Sequence, residues 1–515
     1  MAYRAGTLAL EEATIADIHA AYRAGTLTVH AVMAACLARI AAYDKDGPYL
    51  NALITVNAHA LAEADALDAA YQASGTFRGP LQGIPVIVKD NLDALGMPMT
   101  AGFQGWKNYS PPRDAPVVAK MKAAGGIILA KASLSEFAKG GGDNINSVLP
   151  GFARNPYNTL YATGGSSGGT GAALAANFGV VGIGTDTGGS VRMPAAHNAL
   201  VGLRPTVGLV SRTGIVPLDG VRDTAGPMAR TVTDMTILLE VIVGPDPEDA
   251  ATARSAGHIP SSYQAFLKPD GLRQVRLGVL RQVFAPQVTD PCILAHFEQT
   301  IAELTTAGAV IVDPLLVPAL DTIPRPPQTT AQFKTDLTRW IAHHPGVPYP
   351  SVQAIAASKL LHPLHQPSFD EAVEALPAER DPATMEGRQN EARFREAFMQ
   401  AMDAAQVEAL IFPTWAQLPA INGDRNTQLT DDPQPAPHAG PTHLGSSLTF
   451  VGSMLQWPAL SVPNGYIKGL PTGLHILARA WDEAKLIQYA YAYEQATHYR
   501  QPPSTVPPLA LLGPA

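Results

Sequence analysis

Residues 163–192 read TGGSSGGTGAALAANFGVVGIGTDTGGSVR, two glycine-flanked serine clusters joined by an apolar run. Within it, AALAANFGVVGIGTD predicts a helix, a turn and a strand, the alternation of an α/β chain. Ser190 falls at the end of that strand or on the turn after it. Gly188 and Gly189 beside it carry no Cβ, so consecutive backbone N–H groups are open to a ligand. Donors of that kind hold a developing oxyanion. Upstream, Lys89 ends the apolar run of GIPVIVKDN (83–91) and is a candidate base. A hydroxyl, a base and exposed backbone are the parts that nucleophilic catalysis requires.

The α/β alternation extends outward from this stretch. Ile84–Val88 predicts a strand, VVAKMKAAGG a helix ending at glycine, and Ile127–Ala130 a second strand. The pattern returns at VRLGVL (275–280), a helix near Cys292–Ala307 and the strand Ala309–Val312. The first seventy residues read as helices, with Thr14 and Thr28 as caps and Asn57 opening a third. Residues 315–350 and 413–445 are rich in proline, threonine and polar residues and read as surface loops. A final helix spans about Glu483 to Ala496. The fold expected is a single large α/β/α sandwich whose central sheet, largely parallel or mixed, is flanked by helices. Its segments are an N-terminal helical stretch (1–75), a core (80–240), a variable helical and loop insert (245–445) and a return to the sheet (446–500).

A net charge of −8 makes nucleic acid a poor expected partner. Cys36 and Cys292 are the chain's two cysteines, which argues against a disulfide framework or a zinc site. No apolar run reaches eighteen residues, and residues 1–22 lack the apolar core of a secretory leader. The expected protein is soluble and cytoplasmic, with no metal and no cofactor.

Several readings compete for each motif. Gly164–Gly168 matches the G-x-S-x-G nucleophile elbow, which needs a strand just before it, and NPYNTLYATGG reads as a turn-rich loop. A phosphate-binding loop needs lysine after the last glycine, where the chain has Thr170. A plain flexible loop is the third reading. Asp186 suits a structural carboxylate that accepts backbone N–H groups, and Arg192 an ion-pair anchor. Lys89, taken alone, suits a salt bridge to its neighbour Asp90.

Lys89 in GIPVIVKDN, Ser166 in GGSSGGTG and Ser190 in GTDTGGSVR together resemble the amidase signature family. The resemblance continues through VGLRPTVGLVSRTGIVPLDGVRDTAGPMARTVTD (201–234), SLSEFA (133–138), NPYN (155–158) and LIFPT (410–414). It resumes in PALSVPNGYIKGLPTGLHI (458–476) and weakens across 245–405 and 415–445. It implies that Ser190 is the nucleophile, that Ser166 follows a cis peptide bond and relays the proton, and that Lys89 is the final base. The oxyanion would rest on the backbone of Thr187, Gly188, Gly189 and Ser190. Ser167, Asp186 and Arg192 would support the site, while Gly140, Gly141 and Ser166 would face the acyl group.

The implied activity is hydrolysis of small or aryl amides, with carbamates (urethanes) and esters as related substrates. The alternatives are a peptide C-terminal amidase and the glutaminase-type subunit of a tRNA-dependent amidotransferase. The expected partner is a small amide-type molecule, and the expected state a monomer or homodimer. Thr170 and His197-Asn198-Ala199 depart from the family's commoner residues and bear on packing or substrate shape.

Overall fold

The computed structural model describes residues 10–139, 147, 149–327, 329–423 and 448–509. Thr14 opens α1 (Ile15–Arg23) with a capping box: its hydroxyl accepts the Asp17 N–H, and Asp17 accepts the Thr14 N–H. Thr28 caps α2 (Val29–Tyr43) through the Ala31 N–H. The third helix, α3 (Ala60–Ser74), starts two residues later than its predicted first residue, Ala58. Asn57 Oδ1 accepts the His59 N–H at 2.8 Å and makes a turn ahead of the helix.

Eleven strands form one sheet. They are β1 (Leu53–Val56), β2 (Pro85–Lys89), β3 (Ile127–Ala132), β4 (Val181–Asp186), β5 (Val201–Arg204) and β6 (Thr224–Ala229), followed by β7 (Arg276–Val279), β8 (Val310–Val312), β9 (Ala409–Pro413), β10 (Ala459–Ile467) and β11 (Leu470–Ala478). Their order is β1-β3-β2-β4-β6-β5-β10-β11-β9-β7-β8. The β3–β2–β4 and β9–β7–β8 neighbours run parallel and the other pairs antiparallel, so the sheet is mixed as expected. Flanking it are α4 (Pro116–Ala123), α5 (Gly168–Ala175), α6 (Arg192–His197), α7 (Val232–Ile242) and α8 (Pro291–Thr306). Segment 245–445 is more than helix and loop, because it supplies β7, β8 and β9 to the far edge of the sheet.

Between β8 and β9 the chain forms α9 (Ala319–Thr322), α10 (Thr330–Ala342), α11 (Val352–Ser358), α12 (Gln366–Glu374) and α13 (Pro382–Ala404); α14 (Phe450–Leu455) and α15 (Glu483–Thr497) follow β9 and β11. Two of these helices lie inside the predicted loop 315–350. Flanking prolines and a polar outer face conceal α10, yet Phe333, Leu337, Trp340 and Ile341 recur at helical spacing and are buried. They build a second apolar cluster with Phe103, Trp106 and Phe137, in which the Trp106 and Trp340 rings stack at 5.4 Å. That cluster borders the carboxyl end of β2.

β2 and β4 are parallel neighbours, so their carboxyl ends open on one edge of the sheet. Helix α5 begins against the same edge. Gly169 permits this approach, because a Cβ there would collide with the backbone of Ser133 and Ala52. Lys89, the 185–190 turn and the 166–168 segment thereby converge. No helix among the described residues is long and apolar enough to cross a membrane.

Candidate active site

Lys89 is the last residue of β2, and its side chain is fully buried. Its Nζ donates to Ser166 Oγ at 2.7 Å, to Thr185 Oγ1 at 2.8 Å and to the Thr185 carbonyl at 3.4 Å. Burial pushes the amine down to about 7, against the opposing pull of the Asp186 and Asp223 carboxylates. The alternative salt bridge to Asp90 is not formed. Asp90 pairs instead with Lys131 at 2.8 Å, both side chains buried.

Ser166 follows a cis Gly165–Ser166 peptide and precedes α5; no strand leads into it, contrary to what an elbow needs. Its neighbour Ser167 ties the two serine clusters together. The Ser167 N–H donates to the Ser190 carbonyl at 3.2 Å, while its hydroxyl donates to the Thr185 carbonyl at 3.2 Å. Ser166 and Lys89 are enclosed and Ser190 is half-buried, so of the three Ser190 is the one open to solvent.

The turn carrying Ser190 is held by Asp186. Its carboxylate accepts the N–H groups of Gly189 and Val191, each at 3.0 Å. Arg192 donates to both oxygens at 2.8 and 3.1 Å, and Arg204 to one at 2.9 Å. Burial alone would raise this carboxyl; the two guanidiniums reverse that and hold it well below the usual carboxylate range. Arg192 also reaches the Thr449 carbonyl at 2.6 Å and Ser453 Oγ at 2.9 Å, anchoring the turn to α14. Asp186→Ala leaves two buried guanidiniums without a counterion. Its expected cost is about 3–5 kcal/mol of stability, read as a lowered denaturation midpoint.

This geometry corrects one expectation. The Gly189 N–H is committed to Asp186 and is not available to an oxyanion. The N–H groups of Thr187, Gly188 and Ser190 take no acceptor among the described residues. Gly189 serves the turn differently: at φ +132°, with Thr449 pressed against it, no side chain fits there. Gly140 and Gly141 lie outside the described residues.

A cavity of about 230 Å³ opens beside Thr185 and Thr187. Val216, Leu218 and Trp340 form an apolar wall, and Asn91, Asp223 and Asp336 also line it. Asn91 donates to Thr185 Oγ1 at 3.1 Å and so adjoins the Lys89 contact. Asn91, Thr185, Asp223 and Trp340 are site residues that the sequence reading did not single out. Asp223 stands in VRDTAGP, inside the 201–234 resemblance, and was within reach of that signal. Among the described residues no three His, Cys, Asp or Glu side chains gather as metal ligands would.

A mixed sheet carrying a buried lysine against one glycine-flanked serine, backbone-tied to a second, defines a hydrolase of the amidase signature type. The chain belongs to the amidase family, whose model matches residues 31–487, and is therefore a hydrolase of carbon–nitrogen bonds. It is 33% identical over 500 residues to a glutamyl-tRNA(Gln) amidotransferase subunit from Symbiobacterium thermophilum, covering 94% of this chain and 97% of that one. Among solved structures it resembles the native peptide amidase of Stenotrophomonas maltophilia, with 37% identity, a TM-score of 0.83 and coverage of 96% and 99%. An amidase family protein from Bacillus anthracis matches at 28% identity and a TM-score of 0.83, covering 96% of this chain and 93% of that one.

Proposed function

We propose that this chain is a stand-alone amidohydrolase that cleaves small or aryl amides through an acyl-enzyme on Ser190. Ser190 Oγ bonds to the carbonyl carbon while its proton passes through Ser166 to Lys89. The N–H groups of Thr187, Gly188 and Ser190 receive the oxyanion. The tetrahedral adduct collapses, the C–N bond breaks, and the departing amine takes the proton back. Water then attacks the acyl ester by the same route and frees Ser190. The carrying observation is the 2.7 Å contact between a fully buried Lys89 Nζ and Ser166 Oγ, at a site that pushes the amine down to about 7. Carbamates and esters pass through the same kind of adduct and belong to the proposed range. We place the enzyme in the cytoplasm as a monomer or homodimer, needing no second subunit.

A second reading, hydrolysis of peptide C-terminal amides, is favoured by the likeness to the Stenotrophomonas maltophilia peptide amidase. Charge in the cavity guides the screen. Asp249 is matched by Arg212 at 2.5 Å, while Asp336 has the exposed Arg339 at 3.7 Å. Burial and the neighbouring Asp219 raise Asp223 to about 7. An acyl group that carried a carboxylate into this cavity would meet Asp336, whose cation Arg339 is distant and exposed, so its kcat/KM is expected to fall below that of a neutral isostere. A panel of anilides, primary amides, peptide amides, carbamates, p-nitrophenyl esters and glutamine tests the proposal. Turnover of glutamine alone, or co-purification of an obligate second subunit, would replace it with the glutaminase reading.

A further inference from the structure

Each residue of the turn Asp186–Ser190 before Ser190 is held, three of them by other parts of the chain and Gly189 by the turn's own Asp186. Arg204 donates to the Asp186 carbonyl at 2.6 Å, the Thr449 hydroxyl to the Gly188 carbonyl at 2.9 Å, and Asp186 holds the Gly189 N–H. At Thr187 the grip is Asp223, one residue before β6, whose Oδ1 accepts the Thr187 hydroxyl. Its other oxygen accepts the N–H groups of Leu218 and Asp219 at 2.8 and 3.0 Å. One buried carboxyl thus takes three donors and joins the oxyanion turn to the 218–219 segment, whose Leu218 lines the cavity.

The 218–219 segment is in turn locked to the inserted helices. Asp219 Oδ1 accepts from Arg388 of α13 at 2.8 Å. Arg222 Nε donates to Glu391 of α13 at 2.6 Å, and the Arg222 carbonyl accepts from Arg204 at 2.6 Å. Arg222, Asp219 and Glu391 are each about 1% exposed. From Glu391 of α13 through Arg222 to its neighbour Asp223 and on to Thr187 the residues are buried, while Arg388 is half-buried.

We propose that Asp223 is a positioning residue for the oxyanion turn, which it joins to the segment held by α13. The Thr187 hydroxyl is the link: held by Asp223, it fixes the orientation of the Thr187 N–H, one of the three free donors. A preorganised donor loses its value when its direction drifts, so breaking the link slows the chemical step and leaves substrate binding intact. This inference rests on the acyl-enzyme reading of Ser190.

The test is steady-state kinetics on one anilide substrate with Thr187→Val, Thr187→Ser, Asp223→Asn and the Thr187→Val/Asp223→Asn pair, thermal melts reporting the fold of each. Thr187→Val keeps the side-chain shape and is the decisive variant if Asp223→Asn folds poorly. The expected result is a fall in kcat of about ten- to a hundredfold for Thr187→Val, with KM unchanged. Thr187→Ser, which keeps the hydroxyl, restores kcat, and the double variant is no slower than Asp223→Asn alone. Wild-type kcat in a folded Thr187→Val, beside an inactive Ser190→Ala, overturns the inference and spares the acyl-enzyme reading. An active Ser190→Ala overturns that reading itself.

Discussion

Ser190→Ala is expected to remove turnover, by on the order of 10⁵–10⁶ in kcat, while the protein folds as before. The size follows from what is lost. Without the Ser190 hydroxyl no acyl-enzyme forms, and Lys89 and Ser166 hold a proton route that leads nowhere. Residual activity would come from substrate binding and from the N–H groups of Thr187, Gly188 and Ala at position 190. The fold is unaffected because Ser190 is half-buried and its carbonyl, not its hydroxyl, is what Ser167 holds. Mass spectrometry after a fluorophosphonate probe makes the assignment direct. Label on Ser190 in the wild type, and none in the variant, is the expected pair of results. Label on Ser166 would move the attack to the other serine cluster.

The parts of this site that were legible in the sequence are local ones. Glycine-flanked serines announce close backbone approach, and an apolar β-branched run announces a buried strand, so Ser166, Ser190 and Lys89 stand out without coordinates. The sheet is legible in part: Ile84–Val88, Ile127–Ala130, 275–280 and Ala309–Val312 read as strands, whereas β1 (Leu53–Val56) lies hidden inside a stretch that reads as helical. What stays hidden depends on partners far along the chain. Asp223 meets Thr187 across 36 residues, and Asn91 meets Thr185 across 94. No periodicity records such contacts. Gly189 shows the limit within a motif: a glycine says that the backbone can be approached, but not that Asp186 already occupies its N–H. Helix α10 is obscured because prolines and threonines on its flanks resemble loop composition, while its apolar face serves a second cluster separate from the main core.

Lys89→Met is expected to separate function from stability. Loss of the general base lowers kcat by about 10²–10⁴-fold. In the wild type the active form carries neutral Lys89, whose amine burial pushes down to about 7, so kcat rises as pH climbs through that value. Asp223, raised to about 7 by burial and by Asp219, titrates in the same window. Its ionisation strengthens the hold of Lys89 on its proton, so the rising limb belongs to the pair and is broad. In Lys89→Met the part of the limb that belongs to the lysine is gone. Stability moves the other way. Between about 7 and the ordinary 10.5 the unfolded chain binds a proton on Lys89 that the folded chain does not. Unfolding is therefore favoured increasingly as pH falls across that range, and the cost is constant below it. Methionine carries no such cost. Relative to the wild type, the variant's melting temperature is expected to rise as pH drops from about 10 towards 7, while its activity stays near background. A wild-type rate profile that falls above neutrality in a folded enzyme would contradict the neutral-lysine base.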